Sequence, residues 1–171
     1  MVRHGDHADR PAWRVTSGEP APDAVERLLR VLPDWFGIES SVLEYVAAAR
    51  TRPAYLAWPG DRQAARPSGV LLACRHFPAS AELNLMAVDP ACHRCGAGRA
   101  LVAAVEADLI ADGVEFLQVK TQGPARPDAG YEKTRQFYSA LGFQPLEEIH
   151  GLWPGIPCLI TIKSLRTGRR R

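Results

Sequence analysis

Apolar positions change their spacing along the chain, and each change predicts an element. Trp13-Arg14-Val15-Thr16 reads as a short first strand. After Pro20 and Pro22, Asp23 is placed to cap a helix. Its Val25, Leu28, Leu29 and Leu32 fall at i, i+3, i+4 and i+7, one stripe of a 3.6-residue period. Pro33 stops it. Ser40 or Ser41 can cap a second helix, with Glu44 three residues after Ser41 as in a capping box. Val42, Tyr45, Val46 and Ala49 are its buried stripe, and Pro53 ends it.

The middle of the chain reads as strands: Ala54–Trp58, then a polar loop from Pro59 to Pro67, then Val70–Cys74, broken by Pro78. Ala81–Val88 alternates, placing Leu83, Leu85 and Ala87 on one face and Glu82, Asn84 and Met86 on the other. Asp89-Pro90 closes it. From Gly98 the period is helical, with Leu101, Val102, Val105 and Leu109 in register and Gly113 as the natural residue past the end. Phe116–Thr121 is a further strand. A loop rich in Pro and Gly covers Gln122–Gly130, and Tyr131–Leu141 is again helical, stopped by Gly142. Strands near Pro145–Ile149 and Cys158–Lys163 flank a last loop holding Trp153, Pro154 and Pro157. No segment repeats. The order β, α, α, β, β, β, α, β, α, β, β does not alternate strictly. It predicts a mixed α/β (α+β) sheet and excludes a doubly wound nucleotide fold.

Composition fits one folded unit: 171 residues, 46% hydrophobic and 23% charged. We expect a loose leader over residues 1–12, one domain over 13–165 and a basic tail over 166–171. No apolar run is long enough for a membrane helix and Met1–Arg14 has no signal-peptide core, so a cytoplasmic protein without a membrane partner is expected. The net charge of +2 rests on Arg166, Arg169, Arg170 and Arg171; without them 17 basic residues face 19 acidic ones. A basic tail of that kind makes no nucleic-acid-binding face. Cys92-His93-Arg94-Cys95 is a C-x-x-C, but Cys74 and Cys158 stand alone, with no second ligand pair. No metal site is expected.

The most informative stretch is Val88-Asp89-Pro90-Ala91-Cys92-His93-Arg94-Cys95-Gly96-Ala97-Gly98-Arg99. A strand ends, a glycine-containing loop turns, and an amphipathic helix begins. The first turn of a helix carries free N–H groups and the positive dipole end, and glycines let an anion approach them. Arg94 and Arg99 add charge at the same point. A phosphate group fits there. A Walker A loop is excluded because no Gly-Lys-Ser/Thr is present, and a dinucleotide fingerprint because Leu101 stands at the last glycine position.

His93, Gly96 and Gly98 resemble motif A of the GCN5-related N-acetyltransferases (GNAT), Arg/Gln-x-x-Gly-x-Gly/Ala, with His in the first position. Tyr131-Glu132-Lys133-Thr134-Arg135-Gln136-Phe137-Tyr138-Ser139-Ala140-Leu141-Gly142-Phe143 resembles the family's motif B. There Phe137, Tyr138, Gly142 and Phe143 match, and Tyr131 and Thr134 replace Asn and Ala. The wider pattern, from Leu32–Ile38 to Leu152-Trp153 and Pro157–Leu159, looks like a group of small bacterial acetyltransferases.

The resemblance implies a GNAT-like fold: a mixed, mostly antiparallel sheet of six to seven strands flanked by about four helices. It implies an N-acetyltransferase with acetyl-CoA as co-substrate, in which an amine attacks the thioester directly. Residues 93–99 (His93, Arg94, Cys95, Gly96, Ala97, Gly98, Arg99) would bind the pyrophosphate. Met86, Ala87 and Val88 would offer backbone groups to the pantetheine arm, and Thr134 and Phe137 would line it. Tyr138 occupies the family position that protonates the departing thiolate. Glu82 is the first candidate for the base, through a water, and His76 the second. Trp35, Phe36, Tyr45 and Trp153 would border the cleft for a small-molecule or peptide amine. Family members often dimerise, which leaves a homodimer open. A CoA-binding regulatory module without turnover is the alternative.

Overall fold

The computed structural model describes residues 12–60 and 66–166. All but Ala12 of the expected leader and all but Arg166 of the basic tail lie outside these residues, as does part of the loop between Pro59 and Pro67. The elements follow the expected order: β1 (Trp13–Thr16), α1 (Pro22–Arg30), α2 (Glu39–Ala48), β2 (Ala54–Pro59), β3 (Gly69–Phe77) and β4 (Ser80–Val88). After a short 3-10 turn at Pro90–Cys92 come α3 (Ala97–Ala111), β5 (Phe116–Gln122), α4 (Ala129–Ala140), β6 (Gln144–Trp153) and β7 (Ile156–Ser164).

Seven strands form one sheet in the order β1-β2-β3-β4-β5-β7-β6. Among the described residues only β4 and β5 are parallel neighbours. That pair needs a crossover connection, which α3 supplies. Two apolar cores lie on the two sides of the sheet. One joins α1 and α2 to it through Val25, Leu28, Leu29, Val42, Val46, Val70, Leu72, Leu85 and Ala87. The other joins α3 and α4 through Leu101, Val102, Val105, Leu117, Val119, Tyr138 and Phe143. Leu28, Leu101 and Leu117 are fully buried, each contributing about 1.5–3 kcal/mol by transfer from water.

Several local expectations change. Helix α1 begins at Pro22, whose fixed φ suits a first helical position, so Asp23 lies in the first turn and not at the cap. Helix α2 begins at Glu39 with Ile38 before it, and neither Ser40 nor Ser41 caps it. Glu39 is instead bound by Arg30 Nη2 at 2.8 Å. Helix α4 starts earlier than its apolar pattern suggested, because the Asp128 carboxylate accepts from the Tyr131 N–H at 2.9 Å. The last loop is a hairpin: Trp153 pairs with Ile156 across Pro154-Gly155, so Trp153 and Pro157 belong to strands. In β4 the even alternation fails. Leu72 pairs with Leu85 but Ala73 pairs with Leu83, leaving Asn84 as a bulge. Leu83 therefore packs with α3 and α4, while Leu85 and Ala87 pack with α1 and α2.

Candidate active site

Strands β4 and β5 pair only from Ser80↔Phe116 to Leu83↔Val119. Beyond that point β4 runs on to Val88 and β5 to Gln122, so the sheet forks. The side of Asn84–Val88 turned toward the fork has no β5 partner, and there the Val88 carbonyl is taken by the His93 ring. On β5, Thr121 Oγ1 is buried and has no hydrogen-bond partner among the described residues. A buried hydroxyl left in that state is costly, and an amide-bearing ligand arm in the fork would relieve it.

The loop after β4 is held open at the mouth of the fork. Cys92, His93, Arg94 and Cys95 form a tight turn, closed by the Cys95 N–H on the Cys92 carbonyl at 3.4 Å. His93 has φ −62° and ψ 143°, and Arg94 follows with φ +63°, the pattern of a type II turn. Gly96 precedes α3 with φ +97°, a left-handed conformation that a glycine adopts without strain. No side chain caps α3, and the first intrahelical bond is Ala100 N–H to the Gly96 carbonyl. The amides of residues 96–99 are free of protein partners among the described residues. A Cβ at Gly98 would lie 3.1 Å from Phe137 Cζ. Gly98 thus lets α3 pack closely on Phe137, and the fork and the free amides fit the pantetheine arm and pyrophosphate of CoA.

Two details of this loop differ from the motif reading. The His93 ring binds the Val88 carbonyl through Nε2 at 2.8 Å and meets Trp35 edge-on, so it braces the end of β4. Trp13, not anticipated as a site residue, donates from Nε1 to the Cys95 carbonyl at 2.8 Å and fixes the loop to β1. Thr134 accepts from Trp35 Nε1 at 3.3 Å and donates to the Gly130 carbonyl, so its hydroxyl ties α4 to the α1–α2 loop.

Tyr138 is 6% exposed, packed edge-on against Phe137 and Phe143. Burial pushes its phenol well above the ordinary range. Its hydroxyl has no protein partner among the described residues.

On the α1–α2 side of the sheet, just before the fork, Glu82 is 5% exposed. Three donors converge on its Oε2, each at 2.8 Å: His76 Nε2, Gln118 Nε2 and Lys120 Nζ. The strand register dictates this row. Cys74 faces Glu82 across β3–β4, and Glu82 faces Gln118 across β4–β5. His76 is a second bulge residue, skipped between the pairs Arg75↔Ala81 and Phe77↔Ser80. Burial pushes the Glu82 carboxyl up, but the hydrogen bonds from Lys120, His76 and Gln118 outweigh it and hold the group below the usual range. Cys74 Sγ lies 3.7 Å from the same His76 nitrogen. The two candidate bases are therefore one hydrogen-bonded pair. Gln118 and Lys120 escape a motif search because their strand is read only as apolar alternation. The alternation itself, however, puts both on the face of Glu82.

Of the four aromatic residues assigned to the acceptor cleft, Phe36 and Tyr45 pack edge-on at 6.0 Å, and with Trp35 they line the α1–α2 layer. Trp153 lies apart, at the β6–β7 hairpin.

Solved structures with this fold define the class. The chain superposes on a GNAT-family protein from Desulfovibrio desulfuricans with a TM-score of 0.71 at 22% identity, covering 91% of this chain and 99% of that one. The ribosomal-protein-S18-alanine N-acetyltransferase of Escherichia coli gives 0.71 at 18% identity, with 94% and 99% covered. An aminoglycoside 6′-N-acetyltransferase complexed with coenzyme A gives 0.70 at 17%, with 91% and 98% covered. These likenesses establish an acyl-CoA N-acyltransferase fold. The family model for the acetyltransferase (GNAT) domain matches residues 45–145, more than half of the chain. The chain belongs to the GNAT family and is an N-acetyltransferase whose co-substrate is acetyl-CoA. No curated protein matches its sequence. No helix among the described residues is long and apolar enough to cross a membrane.

Proposed function

We propose that the protein transfers an acetyl group to an amine of a small molecule or peptide by direct attack on the thioester, in the fork between β4 and β5. The observation that carries this reading is the end of β4–β5 pairing at Leu83/Val119, next to the uncapped N-terminus of α3. The free amides of residues 96–99 take the pyrophosphate, aided by Arg94 and Arg99. The pantetheine arm runs along Met86, Ala87 and Val88, and a β4 N–H polarises the thioester carbonyl as an oxyanion-type donor.

The attacking amine must lose a proton. Glu82 alone is a weak sink, because three donors already stabilise its charged form. Its Oε1 receives no donor among the described residues, so it can hold a water against the amine. His76 shares the carboxylate and is 40% exposed at its side chain, which gives the proton a route to solvent. Tyr138 remains protonated as the reaction proceeds and stabilises the departing CoA thiolate by hydrogen bonding.

The reading is tested with acetyl-CoA and a broad amine panel, scoring thiol release and acetylated product, alongside calorimetry with CoA. Gly98→Val pushes on Phe137 and crowds the first turn of α3. It raises KM for acetyl-CoA by ~10-fold or more, about 1.4 kcal/mol, with a smaller change in kcat at saturation. Unchanged KM and unchanged CoA affinity in this variant place the cofactor elsewhere.

A further inference from the structure

His76 uses one nitrogen for two partners. Nε2 lies 2.8 Å from Glu82 Oε2 and 3.7 Å from Cys74 Sγ. A relay between Cys74 and Glu82 would engage both ring nitrogens, one toward each. Here a single nitrogen with room for one proton meets both, so one contact is always poorly served. Three atoms converging on a point is instead the arrangement of metal ligands. Cys74 Sγ, His76 Nε2 and a Glu82 carboxylate oxygen all lie within 4.8 Å of one another. Bonds of ~2.0–2.3 Å to a common zinc ion span such a triangle after small side-chain rotations.

The surroundings suit a borderline-soft ion. The donor set is thiol, imidazole and carboxylate, which favours zinc over magnesium or calcium. Cys74 and Glu82 are held by facing positions in paired strands, and His76 by the bulge beside them. Lys120 and Gln118 share Oε2 with His76, while Oε1 receives no donor among the described residues, so the carboxylate keeps an oxygen to offer an ion without losing its bond to Lys120. His76 is 40% exposed at its side chain and borders a shallow depression with Arg75, Phe77 and Pro78 at the end of β3, so an ion can reach it from solvent.

We propose that Cys74, His76 and Glu82 form a zinc site whose occupation reversibly blocks acetyl transfer. The thiol gives up its proton on binding, and the fourth position of a tetrahedral ion remains for water. Occupation removes both the water-holding oxygen of Glu82 and the proton route through His76. The inhibition rests on the acetyl-transfer reading above; the binding does not.

Two measurements separate them. The first titrates the purified full chain with Zn²⁺, and with Co²⁺ as a spectroscopic substitute, without acetyl-CoA. One equivalent binds, with a sulfur-to-cobalt charge-transfer band, and Cys74→Ala removes the band and weakens affinity by more than ~10–100-fold. A band that survives in Cys74→Ala, or no binding to the wild-type chain, overturns the site. The second follows acetylated product by mass spectrometry, since zinc also captures the released thiol. Zinc inhibits the wild type and a chelator restores it. Cys74→Ala keeps the basal rate and needs at least ~10-fold more zinc for the same inhibition. Equal sensitivity of both proteins overturns the inhibitory role. A chain that binds cobalt through Cys74 but acetylates nothing in the panel refutes the transfer reading and the inhibitory role, and leaves the binding site standing.

Discussion

Glu82 receives three hydrogen bonds on one oxygen, and that asymmetry assigns different tasks to neighbouring residues. The bonded oxygen positions His76 and Lys120; the other oxygen receives no donor among the described residues. Replacing His76 by Gln keeps a donor for the carboxylate but removes the ring that passes the proton on. We expect kcat to fall by ~10²-fold, the usual scale for one general base, with little change in KM for acetyl-CoA. A merely structural role would instead lower the urea midpoint and leave kcat unchanged. Tyr138→Phe probes the other end of the reaction. Its ring stays wedged between Phe137 and Phe143, so stability changes little, whereas the hydrogen bond to the departing thiolate disappears. A drop in kcat of ~10²-fold is expected at saturating acetyl-CoA, and an unchanged kcat removes Tyr138 from the mechanism. Glu82, His76 and Tyr138 could be named as candidates from strand position and motif, and the closeness of Glu82 and His76 follows from neighbouring strands. The convergence of Cys74, Gln118 and Lys120 was not legible, because it depends on cross-strand register, which links residues up to 46 positions apart in one chain only after the sheet has formed.

At the scale of elements, the same contrast holds for β4. Period-2 alternation predicted Leu83, Leu85 and Ala87 on one face, yet Asn84 bulges and moves the last two to the opposite core. A bulge has no signature in hydrophobic spacing when both faces of the strand are buried, since either parity reads as apolar. Helix starts failed for a related reason. Caps are chosen by backbone geometry at the ends, so Pro22 and Asp128 displaced the residues that spacing alone favoured. The order of elements and the fold class were readable because they depend on long periodic stretches. The bulge makes a sharp prediction. Deleting Asn84 keeps every apolar residue but reverses the facing of Leu85 and Ala87, which are 3% and 2% exposed in two packed positions. The deletion should abolish cooperative unfolding, as seen by near-ultraviolet circular dichroism and a urea melt. Asn84→Ala, which keeps the extra residue and loses only the 3.1 Å bond from Arg52, should retain it. A deletion variant with wild-type cooperativity would show that register is set elsewhere.

For the molecule as a whole, the fork concentrates cost as well as chemistry. A sheet that parts between β4 and β5 gives up ladder bonds, and the buried cluster around Glu82 ties the two strands together immediately before they separate. That cluster couples folding to pH. The folded Glu82 holds its proton less tightly than an unfolded glutamate, whose pKa is about 4.3, because the bonds from Lys120, His76 and Gln118 outweigh its burial. Its contribution is therefore complete above about pH 4.3 and is lost as pH falls through the lower folded value. Glu39, lowered by the hydrogen bond from Arg30, titrates in the same direction, but it is fully exposed and its effect should fade with added salt. Replacing Glu82 by Gln leaves Lys120 without its anion and should cost about 1–3 kcal/mol at neutral pH. Urea melts of the two proteins should show that gap at pH 7 and a narrower one at pH 3, which lies below the unfolded value of about 4.3 so that the unfolded chain takes up the proton. A gap that stays constant between these conditions would mean that the ionised cluster does not hold the base of the fork together, and that the apolar cores on either side carry it alone.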